Sequence, residues 1–128
     1  QEPIIKQGTG DMTKNVYWVL KATIGEGNLE PLKSLAQRFC EATQSEEGVI
    51  AYEWSVSDDE STLHILERFA DSTAALTHLE NVGPILPELM ALATPTVMEC
   101  YGAIDGNFRE ATKRLPMSYT TMFAGFHR

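Results

Sequence analysis

Basic residues are scarce in this 128-residue sequence, which has 10 lysines and arginines against 18 aspartates and glutamates. The formal net charge of −8 argues against the basic patch that binds nucleic acid or an anionic membrane surface. No apolar run approaches the ~20 residues that cross a bilayer, and the N-terminus lacks the apolar core of a signal peptide. We therefore expect no nucleic-acid partner, no membrane segment and a cytoplasmic location.

Cysteine and histidine are also rare, with two and three residues. Cys40 and Cys100 suggest neither a disulfide framework nor a metal-type pair. The histidines lack HxH or HxxxH spacing, whereas a metal site needs three or four converging ligands. The sequence contains no GxGxxG motif, P-loop or GxSxG motif. We expect no metal and no nucleotide cofactor.

Strand-like and helix-like segments alternate along the chain. Four segments rich in β-branched and aromatic residues are predicted strands: 16–24, 48–56, 62–70 and 95–104. Apolar residues at helical spacing predict helices at 29–45 and 72–82, the second resuming at 85–93 after Gly83-Pro84. The order β-α-β-β-α-β predicts an α+β, ferredoxin-like fold with an antiparallel four-stranded sheet.

The chain divides into three parts. Residues 1–14 are a predicted flexible arm, 15–104 hold the whole β-α-β-β-α-β unit, and 105–128 form a C-terminal extension. The extension is predicted to contain a short helix at 107–115 and a strand at 118–126. Its net charge is +2 against −10 for residues 1–104. We expect its apolar residues to cover the sheet edge, a cavity or a partner chain, which it would clasp.

Apolar residues occupy both faces of the predicted sheet. Two helices cover only one face, so a lone domain should be polar at every second strand position. Because an exposed apolar face promotes aggregation, the second face must meet a partner chain, the extension or a ligand. Four aromatic residues suit a cavity for a flat organic molecule, although each also suits an ordinary core: Trp18, Tyr52, Trp54 and Tyr101.

Two motifs carry a family resemblance. The stretch ERFADSTAALTH supplies Glu67, Phe69, Asp71, Ala74 and His78, and Glu47-Gly48-Val49 leads into Tyr52-Glu53-Trp54. Over roughly residues 15–104, this pattern resembles the antibiotic biosynthesis monooxygenase family of the dimeric α/β-barrel superfamily. The resemblance implies a homodimer whose two sheets form a barrel.

The resemblance also bears on cofactors. Haem-degrading proteins of this fold typically carry Asn in the first strand and Trp near the end of the third. Val19-Leu20-Lys21 and Phe69 stand in those places here, so we expect no haem. Similar family members that oxygenate quinols and anthrones work without a cofactor, and we expect none in this chain.

The resemblance implies acid–base chemistry by His78 and Glu67. Histidine titrates near ~6.5 and can take and return a proton at neutral pH. We assign His78 as the base and Glu67 as its partner, with substrate walls from Trp18, Tyr52, Trp54, Phe69 and Tyr101. Structural roles remain open: His78 could lock helix to strand through Glu67, and Glu67 could pair with Arg68, Lys21 or a backbone N–H.

Three functions remain open at this point. The first is a cofactor-independent monooxygenase acting on a small aromatic, quinol-like or polyketide-type substrate. The second is an isomerase of a small carbonyl compound, similar to the phospho-autoinducer-2 isomerase branch of the family. The third is a non-catalytic, ligand-binding or stress-associated dimer. Both enzymes begin by removing a proton from a phenol or from carbon beside a carbonyl.

Overall fold

The computed structural model describes residues 13–128, so residues 1–12 of the predicted arm lie outside it. Strand β1 (Val16–Ile24) leads into helix α1 (Leu29–Gln44), and the hairpin of β2 (Val49–Val56) and β3 (Thr62–Phe69) follows. Helix α2 (Ser72–Val82), the 3₁₀ turn Gly83–Ile85 and helix α3 (Leu86–Leu92) precede β4 (Ala93–Gly102). The chain continues through α4 (Gly106–Ala111) and β5 (Ser118–Tyr119).

The ferredoxin-like α+β fold is confirmed, with one more strand in the sheet than predicted. The strand order is β2-β3-β1-β4-β5, and β5 pairs parallel to β4 while the other strands are antiparallel. The predicted strand at 118–126 is wrong beyond Tyr119. The N–H and hydroxyl of Thr120 both donate to the Cys100 carbonyl, and this contact ends the pairing with β4.

Helix α2 is bounded by two local signals. The carboxylate of Asp71 accepts the backbone N–H of Ala74 at 2.8 Å, which satisfies one of the free donors at the helix start. Pro84 has no N–H to continue the hydrogen-bond ladder, and the chain forms a 3₁₀ turn at Gly83–Ile85 before α3 begins. The break separates α2 from α3, which forms part of the wall described below.

The helices cover one face of the sheet, and the hydrophobic core lies between the helices and that face. Trp18, Leu20, Ile65 and Phe69 alternate with more exposed residues along β1 and β3, as expected when one face is covered. Trp18 packs against Phe69 at 4.8 Å and Phe108 of α4 at 6.1 Å between ring centroids. Each such side chain contributes roughly 1.5–3 kcal/mol by its burial.

The opposite face has no helix on it and is called the open face here. Tyr17 stacks on Tyr101 at 5.7 Å, and the Arg68 guanidinium lies 4.4 Å from the Tyr17 ring centroid. Leu66 in β3 is 42% exposed, and Glu53 beside it in β2 is exposed. That a partner chain covers this face stays a prediction. Within residues 13–128, no helix has both the length and the apolar character needed to cross a bilayer.

Candidate active site

One row of paired residues crosses the helix-covered face. Glu67 of β3 pairs with Tyr52 of β2 on one side and with Trp18 of β1 on the other, and Trp18 pairs with Cys100 of β4. Directly opposed residues bring their Cβ atoms within about 4.5–5.5 Å. Glu67 is therefore a single carboxylate between two aromatic side chains, and it is only 5% exposed.

His78 lies on the second turn of α2 with both ring nitrogens beside carboxylates. Its Nε2 is 3.2 Å from Glu67 Oε1, and its Nδ1 is 3.0 Å from Glu46 Oε2. The rings of Tyr52 and Phe69 each lie 5.1 Å from the imidazole. With 1% exposure, the imidazole is closed off from solvent between two acids and two aromatic rings.

The two carboxylates decide the charge of His78. Burial alone would lower the pKa of His78, but hydrogen bonding and charge from Glu67, and then from Glu46, outweigh it and raise the pKa above its ordinary value. In the protonated form, the imidazole carries an N–H toward each carboxylate. A cation between two buried carboxylates leaves this trio one negative charge, far less costly than two unpaired carboxylates.

The loop between α1 and β2 brings Glu46 to the helix because two small residues meet there. A Cβ on Gly48 would collide with the Cβ of Ala74, so glycine is required for this close approach. The Ala70 N–H donates to the Gly48 carbonyl at 2.7 Å, and Asn81 Nδ2 donates to Glu46 Oε2 at 2.8 Å. These contacts fix the Glu46 carboxylate against His78.

Sequence reasoning missed Glu46 and selected its neighbour Glu47 as the motif acid. Glu47 is exposed, whereas the side chain of Glu46 is 8% exposed and contacts His78. The signal was available in the spacing, since Glu46 and Gly48 themselves form an E-x-G motif. By its distance to His78, Glu46 and not Glu47 is the acid of this motif that faces the candidate site.

A cavity of about 80 Å³ lies between the sheet and the helices, beside Glu67. Drug-sized ligands occupy roughly 300–1,000 Å³, so a ligand of several rings requires the walls to move. Trp18, Tyr52 and Trp54 line the cavity on the sheet side. The other walls are apolar and include residues of α1, α2 and α3 and of the extension: Phe39, Leu79, Leu86, Leu89, Met90, Leu115 and Pro116.

The structure brings together some of the predicted site residues and separates others. Glu67 and three predicted wall residues, Trp18, Tyr52 and Trp54, line the cavity. His78 lies behind Glu67, and Phe69 packs against His78 and Trp18.

Tyr101 points to the open face, because its neighbour Cys100 is the residue of β4 that pairs with Trp18 on the covered face. There the Tyr101 hydroxyl donates to Glu99 at 3.2 Å. Tyr101 therefore does not share a cavity with the other predicted wall residues.

The Trp18 indole is a donor without an acceptor among residues 13–128. Its Nε1 is buried and has no hydrogen-bond partner there. A buried donor left unpaired costs about 1–3 kcal/mol, which an acceptor atom of a ligand would recover. In the same part of the chain, no group of three or more His, Cys, Asp or Glu is arranged to hold a metal ion.

The family assignment rests on a match of more than half of the chain. The sequence model described as "Antibiotic biosynthesis monooxygenase" matches residues 16–83. This chain belongs to that family. A search of curated proteins found no match.

Solved structures share the fold at low sequence identity. MupZ from Pseudomonas fluorescens is 24% identical, with 91% of each chain covered and a TM-score of 0.84. SnoaB, a cofactor-independent oxygenase from Streptomyces nogalater, is 19% identical, with 73% of this chain and 96% of that chain covered and a TM-score of 0.63. Rv0793 from Mycobacterium tuberculosis is 19% identical, with coverages of 71% and 96% and a TM-score of 0.63. At these identities the likeness shows the fold.

The MupZ match also extends into the C-terminal extension. Its 91% coverage of this chain is more than residues 1–104 alone can supply. SnoaB and Rv0793 cover less of this chain although almost all of their own length is matched.

Proposed function

We propose that this chain is an enzyme that removes a proton from a small apolar substrate in the cavity, and that the resulting anion reacts with O₂ without metal or flavin. The observation that carries the proposal is Glu67, a carboxylate in an otherwise apolar cavity with the buried imidazole of His78 behind it, 3.2 Å away. The family match supports the oxygenase class.

The roles of the two predicted residues are exchanged in this proposal. Glu67 borders the cavity and is the group within reach of a substrate proton, whereas His78 is separated from the cavity by Glu67. A general base must lie within hydrogen-bond reach of the proton it takes. We therefore assign Glu67 as the proton acceptor and His78 as a positioning residue that pairs its charge.

The reaction balances with the substrate and O₂ alone. Glu67 takes a proton from a substrate CH₂ group that is activated by a neighbouring carbonyl or phenol. The carbanion gives an electron pair to O₂, forms the C–O bond and becomes a peroxide. Glu67 returns its proton to the outer oxygen of the peroxide. The remaining hydrogen on that carbon then leaves as a proton, its bonding electrons form the C=O bond, and the O–O bond breaks. The hydroxide that departs combines with this second proton, so that the second oxygen atom leaves as water.

Two further groups favour a flat substrate that carries an oxygen acceptor. The unpaired Trp18 N–H is a donor for a carbonyl or phenol oxygen next to Glu67. Tyr52 remains a neutral phenol at the same wall, because burial, with a smaller contribution from Glu67, raises the pKa of its hydroxyl. The aromatic sheet side and the apolar helix side suit a quinol-like or polyketide-type ring system.

Isomerisation is the second candidate, and the Glu67–His78 contact is compatible with it as well. A carboxylate charge-paired with an imidazolium can take a proton from one carbon and return it to another. That reaction needs neither O₂ nor a second substrate, so oxygen consumption separates it from the first candidate.

We also propose a homodimer formed through the open face, as is typical of this family. Leu66 is the exposed apolar residue on β3 of that face. The end of the extension supplies two more, since Phe123 is 85% and Phe126 is 74% exposed. These side chains would be covered by the second copy.

Oxygen uptake with a panel of hydroquinones and anthrones tests the function. We expect consumption by the parent and a loss of about 10²–10⁴-fold in kcat for Glu67→Gln, which keeps the shape but removes the base. Glu80→Gln is the matched control, because Glu80 is an exposed carboxylate on α2 that neither lines the cavity nor lies on the open face.

Three results would contradict the oxygenase proposal. Equal uptake by Glu67→Gln would remove the base assignment. Exchange of substrate C–H protons with solvent D₂O, without oxygen consumption, would favour the isomerase. Tight binding without uptake or exchange would favour the non-catalytic carrier.

A further inference from the structure

We propose that Glu46 is a positioning residue of this site, which holds His78 as an imidazolium and keeps its Nε2–H directed at Glu67. The inference rests on the proposed function for its catalytic meaning. Its structural content, a coupled trio of Glu46, His78 and Glu67, is independent of the substrate.

The geometry leaves the imidazole little freedom. Glu46 Oε2 is hydrogen-bonded to Nδ1 at 3.0 Å, Glu67 Oε1 lies 3.2 Å from Nε2 as an ion-pair contact, and the ring is flanked by Tyr52 and Phe69. A flip of the ring would break both contacts. Glu46 therefore fixes the ring orientation, as the second hydrogen bond of a functional histidine commonly does.

Glu46 is itself held and is only partly satisfied. Asn81 Nδ2 donates to Glu46 Oε2 and to the Ala42 carbonyl, which ties the carboxylate to the last turn of α1. The other oxygen, Oε1, is buried and finds no partner among residues 13–128. The hydrogen bonds that the Glu46 carboxylate accepts among these residues therefore fall on Oε2, where the imidazole is its charged partner.

The trio spans the wall between two separate spaces. Glu67 lines the internal apolar cavity, whereas Glu46 lines an outer crevice with Cys40, Thr43 and Ile50. His78 bridges the two carboxylates through buried space. Glu46 therefore places a compensating charge behind His78 without admitting solvent to the cavity where Glu67 meets the substrate.

Three titratable groups on three packed segments face His78. These are Glu46 from the loop before β2, Glu67 from β3 and the neutral phenol of Tyr52 from β2. Without Glu46, only the Glu67 carboxylate remains to favour the protonated form of His78, while the burial of His78 still opposes it. The imidazolium then loses one of its two acceptors, and the ring can populate the neutral tautomers.

Nitrogen-15 NMR titration of the His78 side chain tests the proposal on the whole protein without any ligand. The ordinary midpoint of histidine is about 6.5, and in the parent we expect the His78 ring to stay doubly protonated above that pH. In Glu46→Gln the midpoint should fall by roughly one pH unit, a tenfold change in the protonation ratio, because one opposing charge is gone. Glu46→Asp, with a retracted carboxylate, should give an intermediate midpoint.

Glu47→Gln is the matched control, since it removes an exposed charge one residue away. An unchanged His78 midpoint in both Glu46 variants, equal to that of Glu47→Gln, would overturn the proposal. If Glu46→Gln does not fold, Glu46→Asp decides by the same criterion. The NMR result stands whether or not any hydroquinone is oxidised, so its failure is separable from failure of the proposed function.

Once a substrate is found, kinetics add a second readout. Glu46→Gln should lower kcat while leaving KM close to the parent value, and should move the alkaline limb of the kcat profile to lower pH with the His78 midpoint. A fall in kcat at every pH with an unmoved alkaline limb would contradict a role through His78 protonation.

Discussion

The two faces of one sheet differ in a way that the composition of the strands does not reveal. On the covered face, Trp18 and Glu67 are closed off from solvent and the Glu67 carboxylate lies 3.2 Å from Nε2 of the buried His78. On the open face, Tyr17 and Leu66 occupy the next positions along the same strands and remain partly exposed. Adjacent residues of one strand therefore face either the candidate site or the proposed dimer interface, because side chains alternate between the two faces. We therefore assign the site to the covered face and the partner to the open one.

Removing His78 is the change that should damage the covered face most. His78→Ala leaves Glu46 and Glu67 buried without their cation, and breaking such a group costs about 3–5 kcal/mol of unfolding free energy. Urea unfolding at pH 7 measures it. The control is His64→Ala, a half-exposed histidine on β3, for which we expect a change within about 0.5 kcal/mol. Equal losses in the two variants would contradict the buried trio.

Neighbouring positions on β3 give the sharpest comparison of packing on the two faces. Ile65 is 2% exposed in the core, and Leu66 is 42% exposed on the open face. Ile65→Ala should cost about 2–5 kcal/mol because it leaves a cavity. Leu66→Ala should cost less than about 1 kcal/mol under conditions in which the chain is monomeric. If Leu66→Ala lowered the unfolding free energy of the monomer as much as Ile65→Ala does, the two faces would not differ in packing.

The stability of the covered face should depend on pH through His78. The pKa of His78 is raised in the folded state. Protonation of His78 therefore stabilises the fold in full below the unfolded-state pKa of about 6.5, and this stabilisation is lost as pH rises through the folded-state pKa. Each pH unit between the two values corresponds to about 1.4 kcal/mol. The difference in unfolding free energy between the parent and His78→Gln should therefore shrink between pH 6 and pH 9. A difference that grows over this range would reverse the sign and contradict the assignment.

Association should depend on the open face and hardly on the covered one. By light scattering at micromolar concentration, we expect a dimer for the parent and a shift toward the 14.2 kDa monomer for Leu66→Asp. A chain ending at residue 120 should also associate more weakly, because it lacks the exposed Phe123 and Phe126 while keeping the packed β5. A 14.2 kDa parent would contradict the dimer, and an unchanged dimer in the trimmed chain would remove the clasp.

Local patterns predicted most of the fold. The strand at 16–24 and the helix at 72–82 have the observed bounds, since β-branched runs and the Asp71 cap are signals that act within one segment. The prediction for β4 began at Pro95, but pairing with Ile24 extends that strand back to Ala93. Residues 120–126 have strand-like composition and yet no ladder among the described residues, because β-structure depends on a partner that local sequence does not specify.

The site was less predictable because it depends on alternation and register. Tyr101 and Cys100 are equally plausible wall residues until the pairing of β1 with β4 decides which one faces the helices. The sequence alone does not distinguish Glu46 from Glu47. The tight loop in which Gly48 approaches Ala74 directs Glu46, and not Glu47, at α2. The order of Glu67 and His78 relative to the cavity likewise needs three-dimensional placement.

A crystal structure with a bound hydroquinone or anthrone, chosen from those that the protein consumes or binds, tests the central claim most directly. We predict density on the covered face, with an oxygen or acidic carbon of the ring within roughly 3 Å of Glu67 and the cavity widened to admit it. We also predict an acceptor oxygen at the Trp18 N–H. Density confined to the open face, or a ring in the cavity turned away from Glu67, would contradict the assignment of the site.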